Sequence, residues 1–233
     1  MKSCAKNPVT AIEASQGSGV LWEIYFRLSA RYGPQGWWPA KTKFEVIVGA
    51  ILTQNTNWGN VEKALANLRR RGWLNAPVLR DLSLEQLAAA IKPSGYFNIK
   101  ARRLKNFIDF FFQEYNGRLG RMAREPLEKI RSQLLSVKGI GPETADSILL
   151  YALDQPVFVV DAYTKRVLSR HYLIPAAADY HDVQEKFMAA LPADVEMFNE
   201  YHALIVRVGK EFCKSESLCE GCPLNNIEHC VDK

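Results

Sequence analysis

Apolar residues recur at helical spacing along most of this 233-residue chain. The pattern is clear over residues 21–28, and residues 44–52 are apolar enough for a helix that is buried on most of its sides. The one good strand-like run, residues 157–160, is too short to seed a sheet. The periodicity therefore predicts an all-α fold.

Composition narrows the class of protein. Apolar residues make up 48% of the chain and charged residues 24%, as in ordinary globular proteins. No apolar run approaches the roughly 20 residues that span a bilayer, and the first residues lack the apolar core of a signal peptide. We therefore expect a cytoplasmic protein, nucleoid-associated if its source is prokaryotic, that is neither secreted nor inserted in a membrane. A net charge of +5 permits a nucleic-acid partner without requiring one.

A glycine-rich turn at residues 137–142 separates two helical segments. Gly139 and Gly141 allow a tight turn with positive φ, and Pro142 suits the first turn of the following helix because its missing N–H is not needed there. Backbone N–H groups at such a helix N-terminus hold a phosphate without reading base sequence, and Lys138 adds a positive charge. A plain helix–helix turn is the alternative interpretation of the two glycines alone.

Cysteines cluster near the end of the sequence. Four of the five fall within the last 21 residues: Cys213, Cys219, Cys222 and Cys230. A tight cluster containing C-x-x-C indicates a metal or iron–sulfur site in an intracellular protein, rather than a disulfide scaffold. Four thiolates suit a [4Fe–4S] cluster, and zinc is the less favoured alternative.

These features together resemble the endonuclease III superfamily of DNA glycosylases. Residues 135–146 resemble its helix-hairpin-helix, and residues 157–167 its loop with an essential aspartate. The four cysteines resemble its iron–sulfur loop, and residues 51–56 the segment that reaches into DNA. The resemblance covers roughly residues 21–230, which is nearly the whole chain.

The resemblance implies roles for individual side chains. Asp161 becomes the catalytic carboxylate, because breaking an N-glycosidic bond develops positive charge on the sugar that a fixed carboxylate stabilises. Aspartate is also a favoured helix N-cap, and both roles can hold at once. Amide side chains suit the gap that a flipped base leaves, since they donate and accept hydrogen bonds. The implied DNA-binding residues are Gln54, Asn55, Lys138, Gly139, Ile140, Gly141 and Thr144.

Residue 143 bears on the reaction type. In endonuclease III-like enzymes that also cut the strand, a lysine at this position of the hairpin attacks the sugar and forms a Schiff base. This chain has Glu143, and a carboxylate cannot form an imine. The sequence therefore predicts a monofunctional glycosylase, with a lysine displaced to Lys165 or Lys210 as the alternative.

Residues 36–39, 52–58 and 92–98 further resemble the 3-methyladenine DNA glycosylase III branch of the superfamily. This resemblance implies that the substrate is an alkylated purine. An enzyme of this kind holds a flipped base between apolar faces, and an indole face attracts an electron-poor base. The implied base pocket consists of Trp37, Trp38, Trp58 and Glu143. The best-known members of this branch lack the cysteines, so this chain departs from them there.

The superfamily resemblance implies two all-α lobes. A helical barrel domain would cover residues 40–150 with the hairpin at 137–142. A second lobe would join residues 19–39 to 151–233 and carry the iron–sulfur loop at 213–230. Residues 1–18 are expected to form a loose terminus.

The function expected from the sequence is base-excision repair by a monomer on double-stranded DNA that contains a damaged base. The nearest alternative is a bifunctional glycosylase and abasic-site lyase of the endonuclease III type, acting on oxidised pyrimidines. An alternative of another class is a non-catalytic protein that binds DNA lesions.

Overall fold

The computed structural model describes residues 11–229, with side chains described from residue 19 onward. Within that range the chain is helical and has no β-strand; one isolated bridge joins Cys213 to Ser217. The predicted all-α fold is confirmed, and residues 157–160 form a buried extended segment. The helices are α1 (Ala11–Tyr32), α2 (Lys43–Thr53), α3 (Trp58–Arg70), α4 (Ala76–Asp81), α5 (Leu84–Ala90), α6 (Phe97–Tyr115), α7 (Leu119–Met122), α8 (Leu127–Ser136), α9 (Pro142–Leu153), α10 (Ala162–Arg170), α11 (Tyr180–Ala190) and α12 (Val195–Glu211), with a 3₁₀ turn at Lys92–Ser94.

Two findings concern the expected loose terminus and the possibility of membrane-spanning helices. Residues 11–18, expected in a loose terminus, belong to α1, which starts at Ala11 in a stretch containing the good helix formers alanine and glutamate. The remaining residues of that expected terminus, 1–10, lie outside the described range. None of the described helices combines the length and apolar character needed to cross a bilayer.

The described residues form two compact units, each with its own core. The first unit contains residues 11–37 and 156–229, and the second contains residues 38–155. In the first, α1 packs against α12, and the Tyr201 hydroxyl donates to the Leu21 carbonyl at 2.6 Å. Phe158 stacks on Phe187 with ring centroids 3.8 Å apart, so the extended segment before α10 is anchored in this core.

Helix α2 is the centre of the second unit. Every residue from 44 to 52 is buried, as the apolar run predicts, and α9 packs along it. The helix begins with a cap, since the Thr42 side chain accepts a hydrogen bond from the Glu45 N–H at 3.1 Å. Buried Glu45 pairs with Arg69 of α3, which gives its carboxylate a cationic partner.

Candidate active site and DNA-binding elements

Asp161 lies at the N-cap of α10, in the first unit. Its Oδ1 accepts hydrogen bonds from the Thr164 N–H at 2.7 Å and the Thr164 hydroxyl at 2.9 Å, so the cap expected from the sequence is present. Its Oδ2 lies 3.7 Å from Nε2 of His202, and the Asp161 side chain is only 14% exposed. Burial acts to raise the pKa of Asp161, but His202 and the two Thr164 donors outweigh burial and lower it. The carboxylate is therefore ionised at neutral pH, and the hydrogen bonds from Thr164 fix its orientation.

His202 is the residue at this site that sequence reasoning missed. It lies on α12 among buried apolar residues, where a lone histidine resembles an ordinary core side chain. Its ring is 6.5 Å from the Trp37 ring and 6.4 Å from the Phe158 ring, centroid to centroid. Only the fold brings this histidine to Asp161, because the two residues lie on different helices.

Trp37 and Lys210 also belong to the first unit. The Lys210 ammonium lies 5.9 Å from the ring centroids of both Trp37 and Tyr163, within cation–π range. Tyr163 covers Gly209, where an added Cβ would come within 2.6 Å of its ring. Glycine at position 209 therefore lets α10 and α12 approach closely.

Trp38 and Trp58 lie in the second unit and contact each other. Their rings are perpendicular with centroids 5.1 Å apart, and Trp38 also lies 5.1 Å from Tyr151. Both indoles lie against Gly49 of α2 at van der Waals distance. Glu143 is exposed in the first turn of α9, in the same unit. Trp37 belongs to the other unit, so the four-residue base pocket inferred from the sequence stays a prediction.

The hairpin between α8 and α9 has the predicted turn, with one difference. Gly139 has φ +99°, but Gly141 has φ −97° and ψ 178°, an extended conformation open to any residue, and serves as the N-cap of α9. Ile140 is buried and anchors the turn, while Lys138 is exposed beside it. The backbone N–H groups of the first turn of α9 are those that a helix leaves without internal partners.

Gln54 and Asn55 end α2 in different environments. The Gln54 side chain is half-buried and hydrogen-bonds to the hairpin, whereas Asn55 is exposed with φ +55°. Thr144 is buried and accepts one of the Gln54 hydrogen bonds at 2.9 Å. The two amides thus differ in how free they are to reach a ligand.

Three of the four predicted cysteine ligands surround one recess. Cys213, Cys219 and Cys222 are half-buried free thiols that line this recess, while Cys230 lies outside the described residues. Arg170 donates to the Cys213 sulfur at 3.3 Å. Burial raises the pKa of the Cys222 thiol, so a thiolate there needs a positive centre beside it. This sulfur-rich recess, next to an arginine donor, fits a cluster held by thiolates.

Among residues 11–229, no three His, Cys, Asp or Glu side chains converge closely enough to hold one metal ion. A zinc ion draws its sulfur ligands to about 2.3 Å from a common centre. An iron–sulfur cluster attaches each cysteine to a different iron and so accepts more widely spaced thiols.

Comparison with known proteins agrees with this arrangement of elements. The family model for HhH-GPD superfamily base excision DNA repair proteins matches residues 48–193. A protein of Methanocaldococcus jannaschii, named as a candidate DNA repair glycosylase, is 47% identical over 92% of this chain and 97% of its own length. Endonuclease III of Sulfolobus acidocaldarius is 27% identical over 78% of this chain and 80% of its own.

A solved structure extends the comparison to three dimensions. The H. pylori 3-methyladenine DNA glycosylase bound to 1,N6-ethenoadenine superposes with a TM-score of 0.70 at 28% identity, covering 84% of this chain and 97% of that chain. The hairpin, the capped aspartate and the helical architecture are thus accounted for together. The chain belongs to the HhH-GPD superfamily of base excision DNA repair proteins and is a DNA glycosylase.

Proposed function

We propose that this glycosylase is monofunctional and acts as a monomer on duplex DNA, releasing an alkylated purine and leaving an abasic site. The observation that carries the hydrolytic part is the ionised, largely buried carboxylate of Asp161, which Thr164 holds in place and His202 faces. A fixed, ionised carboxylate stabilises a transition state in which positive charge develops close to it.

In the proposed reaction the sugar gains positive charge as its bond to the base breaks. The Asp161 carboxylate stabilises that charge without having to reorient, because two hydrogen bonds already fix Oδ1. Oδ2 is then the oxygen with lone pairs available to orient a water molecule. Water would attack the sugar and complete hydrolysis.

Glu143 supports the absence of a lyase step. It occupies the hairpin position where the resemblance places the imine-forming lysine of strand-cutting relatives. A carboxylate has no nitrogen with which to form an imine, so no Schiff base forms through this residue. The chain would then release the base and stop.

An aromatic cluster supports the alkylated-purine substrate. Trp38 and Trp58 pack edge to face, and the buried Trp58 indole N–H has no acceptor among residues 19–229. An electron-poor purine would be attracted by the faces and could accept from that N–H. The similarity to a glycosylase described as bound to 1,N6-ethenoadenine favours the same class of base.

A bifunctional enzyme acting on oxidised pyrimidines is the second candidate. The similarity to an endonuclease III and the position of Lys210 over Trp37 and Tyr163 favour it, because an amine held among aromatic rings could serve as a displaced nucleophile. A non-catalytic lesion-binding protein is the third, and the ionised Asp161 carboxylate argues against it.

Product analysis on methylated duplex DNA tests the proposal. We expect free 3-methyladenine, strand breaks only after alkali, and no covalent complex on treatment with borohydride, since only an imine is trapped. Breaks without alkali together with a trapped complex would contradict the monofunctional proposal. Lys210→Met and Lys165→Met would then identify the amine. Release of oxidised pyrimidines instead of alkylpurines would contradict the substrate.

We also propose that Cys213, Cys219, Cys222 and Cys230 hold a [4Fe–4S] cluster. When bound, the cluster would cross-link the irregular chain after α12, and Arg170 would donate a hydrogen bond to the Cys213 thiolate. The three described free thiols at one recess, with the Arg170 donor beside Cys213, support this proposal.

Removing one ligand should remove the cluster. We expect Cys219→Ser to reduce bound iron and acid-labile sulfide from about four of each per chain to a small fraction. It should also expose residues 213–229 to protease, because structural metal sites supply folding free energy. Cys4→Ser, at the one cysteine outside the group, is the matched control and should keep its iron. Stoichiometric zinc in the purified protein, without iron, would contradict the cluster.

A further inference from the structure

We propose that one face of α6 positions the two DNA-facing loops of the second unit, with Arg103 and Gln54 as positioning residues and Asn55 as the group that fills the gap left by a flipped base. The inference rests on the proposed DNA-binding role of these loops. It divides tasks that sequence reasoning assigned jointly to Gln54 and Asn55.

The Gln54 amide is already engaged within the protein. Its Nε2 donates to the Gly139 carbonyl at 3.0 Å and to the Thr144 hydroxyl at 2.9 Å, and its Oε1 accepts from Arg103. The orientation of the amide is determined, because a guanidinium can only donate and a carbonyl can only accept. Both amide hydrogens are therefore used to tie the end of α2 to the hairpin.

Arg103 is half-buried and contacts both loops. Its aliphatic stem lies across Gly139 so closely that a Cβ there would overlap its Cγ, while its guanidinium binds Gln54. Arg102, the preceding residue, is exposed. Of these adjacent arginines, Arg103 has its guanidinium engaged inside the protein, and Arg102 faces solvent.

Two further residues on the same face of α6 bind the same loops. Lys100 is buried and donates to the Leu52 carbonyl at 2.9 Å, at the base of the loop that carries Gln54. Asn106 donates to the Lys138 carbonyl in the hairpin at 2.8 Å. Positions 100, 103 and 106 recur every three residues and so share a helix face. The face fixes both loops in one geometry before DNA arrives.

Asn55 is the amide that stays available. It is exposed, and its side chain has no hydrogen bond to any other residue in the described part of the chain. Its left-handed backbone conformation, φ +55°, is one that asparagine tolerates better than most residues. A gap-filling group needs this freedom, which Gln54 lacks.

Equilibrium binding to two duplexes separates the roles. One duplex contains a tetrahydrofuran abasic-site analogue and the other is the undamaged sequence. For Asn55→Ala we expect the preference for the abasic duplex to fall about tenfold, with binding to undamaged DNA unchanged. For Gln54→Met and Arg103→Met we expect both duplexes to bind about tenfold more weakly, with the preference kept, because a looser hairpin grips phosphates less well.

Salt dependence and hydrogen exchange make the test specific. Arg103→Met should leave the slope of log Kd against log salt unchanged, since a positioning residue releases no counterion. Amide exchange at residues 139–141 should accelerate at least tenfold in Arg103→Met and Gln54→Met, and stay at the wild-type rate in the matched control Arg102→Met. Gln54→Glu, which keeps the acceptor for Arg103 and loses both donors, should behave like Gln54→Met.

Three results would overturn the inference. A salt slope lowered by about one in Arg103→Met would make Arg103 a phosphate ligand. Loss of abasic preference alone in Gln54→Met would make Gln54 the gap-filling residue. Unchanged amide exchange in both variants would remove the positioning role. Failure of the wild-type protein to prefer the abasic duplex would instead count against the proposed function, and the exchange data would still decide whether α6 orders the hairpin.

Discussion

Asp161→Asn is expected to lower the rate of base release by at least about a hundredfold, the loss typical of removing one group that stabilises transition-state charge. Asparagine has nearly the shape of aspartate and carries no charge. The substitution therefore removes what the proposed mechanism needs while the side chain still fits beside His202 and Thr164. Single-turnover release of 3-methyladenine from methylated duplex DNA measures the effect.

The fold should survive this substitution, because asparagine is as good an N-cap as aspartate and can still accept from the Thr164 N–H. Asp179→Asn is the matched control. Asp179 caps α11 in the same unit by the same kind of hydrogen bond, at 2.8 Å, and lies on the surface. It should release base at the wild-type rate. Equal rates for both variants would show that Asp161 is only a cap.

The same environment determines how the ionisation of Asp161, and its contribution to the stability of the fold, depend on pH. The net effect of burial, His202 and Thr164 is a pKa of Asp161 below its ordinary value, so the carboxylate stays ionised above about pH 4. Because the pKa is lower in the folded than in the unfolded chain, the carboxylate stabilises the fold above its unfolded pKa. That contribution is lost as the pH falls through the folded value.

Asp146→Ala is expected to destabilise the second unit by about 3–5 kcal/mol, the usual cost of removing one partner from a buried ion pair. Asp146 on α9 is fully buried and forms a bidentate ion pair with Arg131 on α8. Arg131 Nε donates to Oδ1 at 2.8 Å, and Nη2 donates to Oδ2 at 3.0 Å. These two helices flank the hairpin. Loss of the pair should therefore loosen the hairpin turn as well as the core.

Urea denaturation measures this loss of stability. Hydrogen exchange is used as the probe, because it reports the unfolding of the two units separately. Lys43→Met is the matched control, since it breaks the Lys43–Asp154 pair in the same unit, whose side chains are 50% and 63% exposed. A pair exposed to this degree contributes at most about 1 kcal/mol. Similar losses for the two variants would contradict the importance given to burial.

Local patterns carried most of what the sequence could predict. Helical periodicity identified the buried run of α2, and the conformation of Gly139 follows from chemistry within a few residues. The N-cap role of Asp161 is local in the same sense, because its partner is three residues away. The catalytic role of Asp161 and the DNA contacts came from resemblance to a family, and they stay predictions.

Contacts between residues distant in sequence were beyond such reasoning. His202 looks like a core histidine until α10 and α12 bring it to Asp161. Arg103 looks like one charge in a basic run until its contacts with Gln54 and Gly139 are known. Gly139 and Gly141 were expected to allow positive φ in the turn, and only Gly139 adopts it. For His202 and Arg103 the deciding partner lies on another element, where no spacing rule applies.

The order in which the chain passes through its two units has a consequence for biosynthesis. The second unit is one uninterrupted segment, residues 38–155, so all of its core residues have been synthesised before residue 156 is added. Helix α1 of the first unit packs against α12, so this contact forms only after α12 has been synthesised. Because domains form during translation as their residues emerge, the hairpin-bearing unit can be complete while the aspartate-bearing unit is still open. A nascent chain would thus complete the unit that contains the hairpin before the unit that contains Asp161.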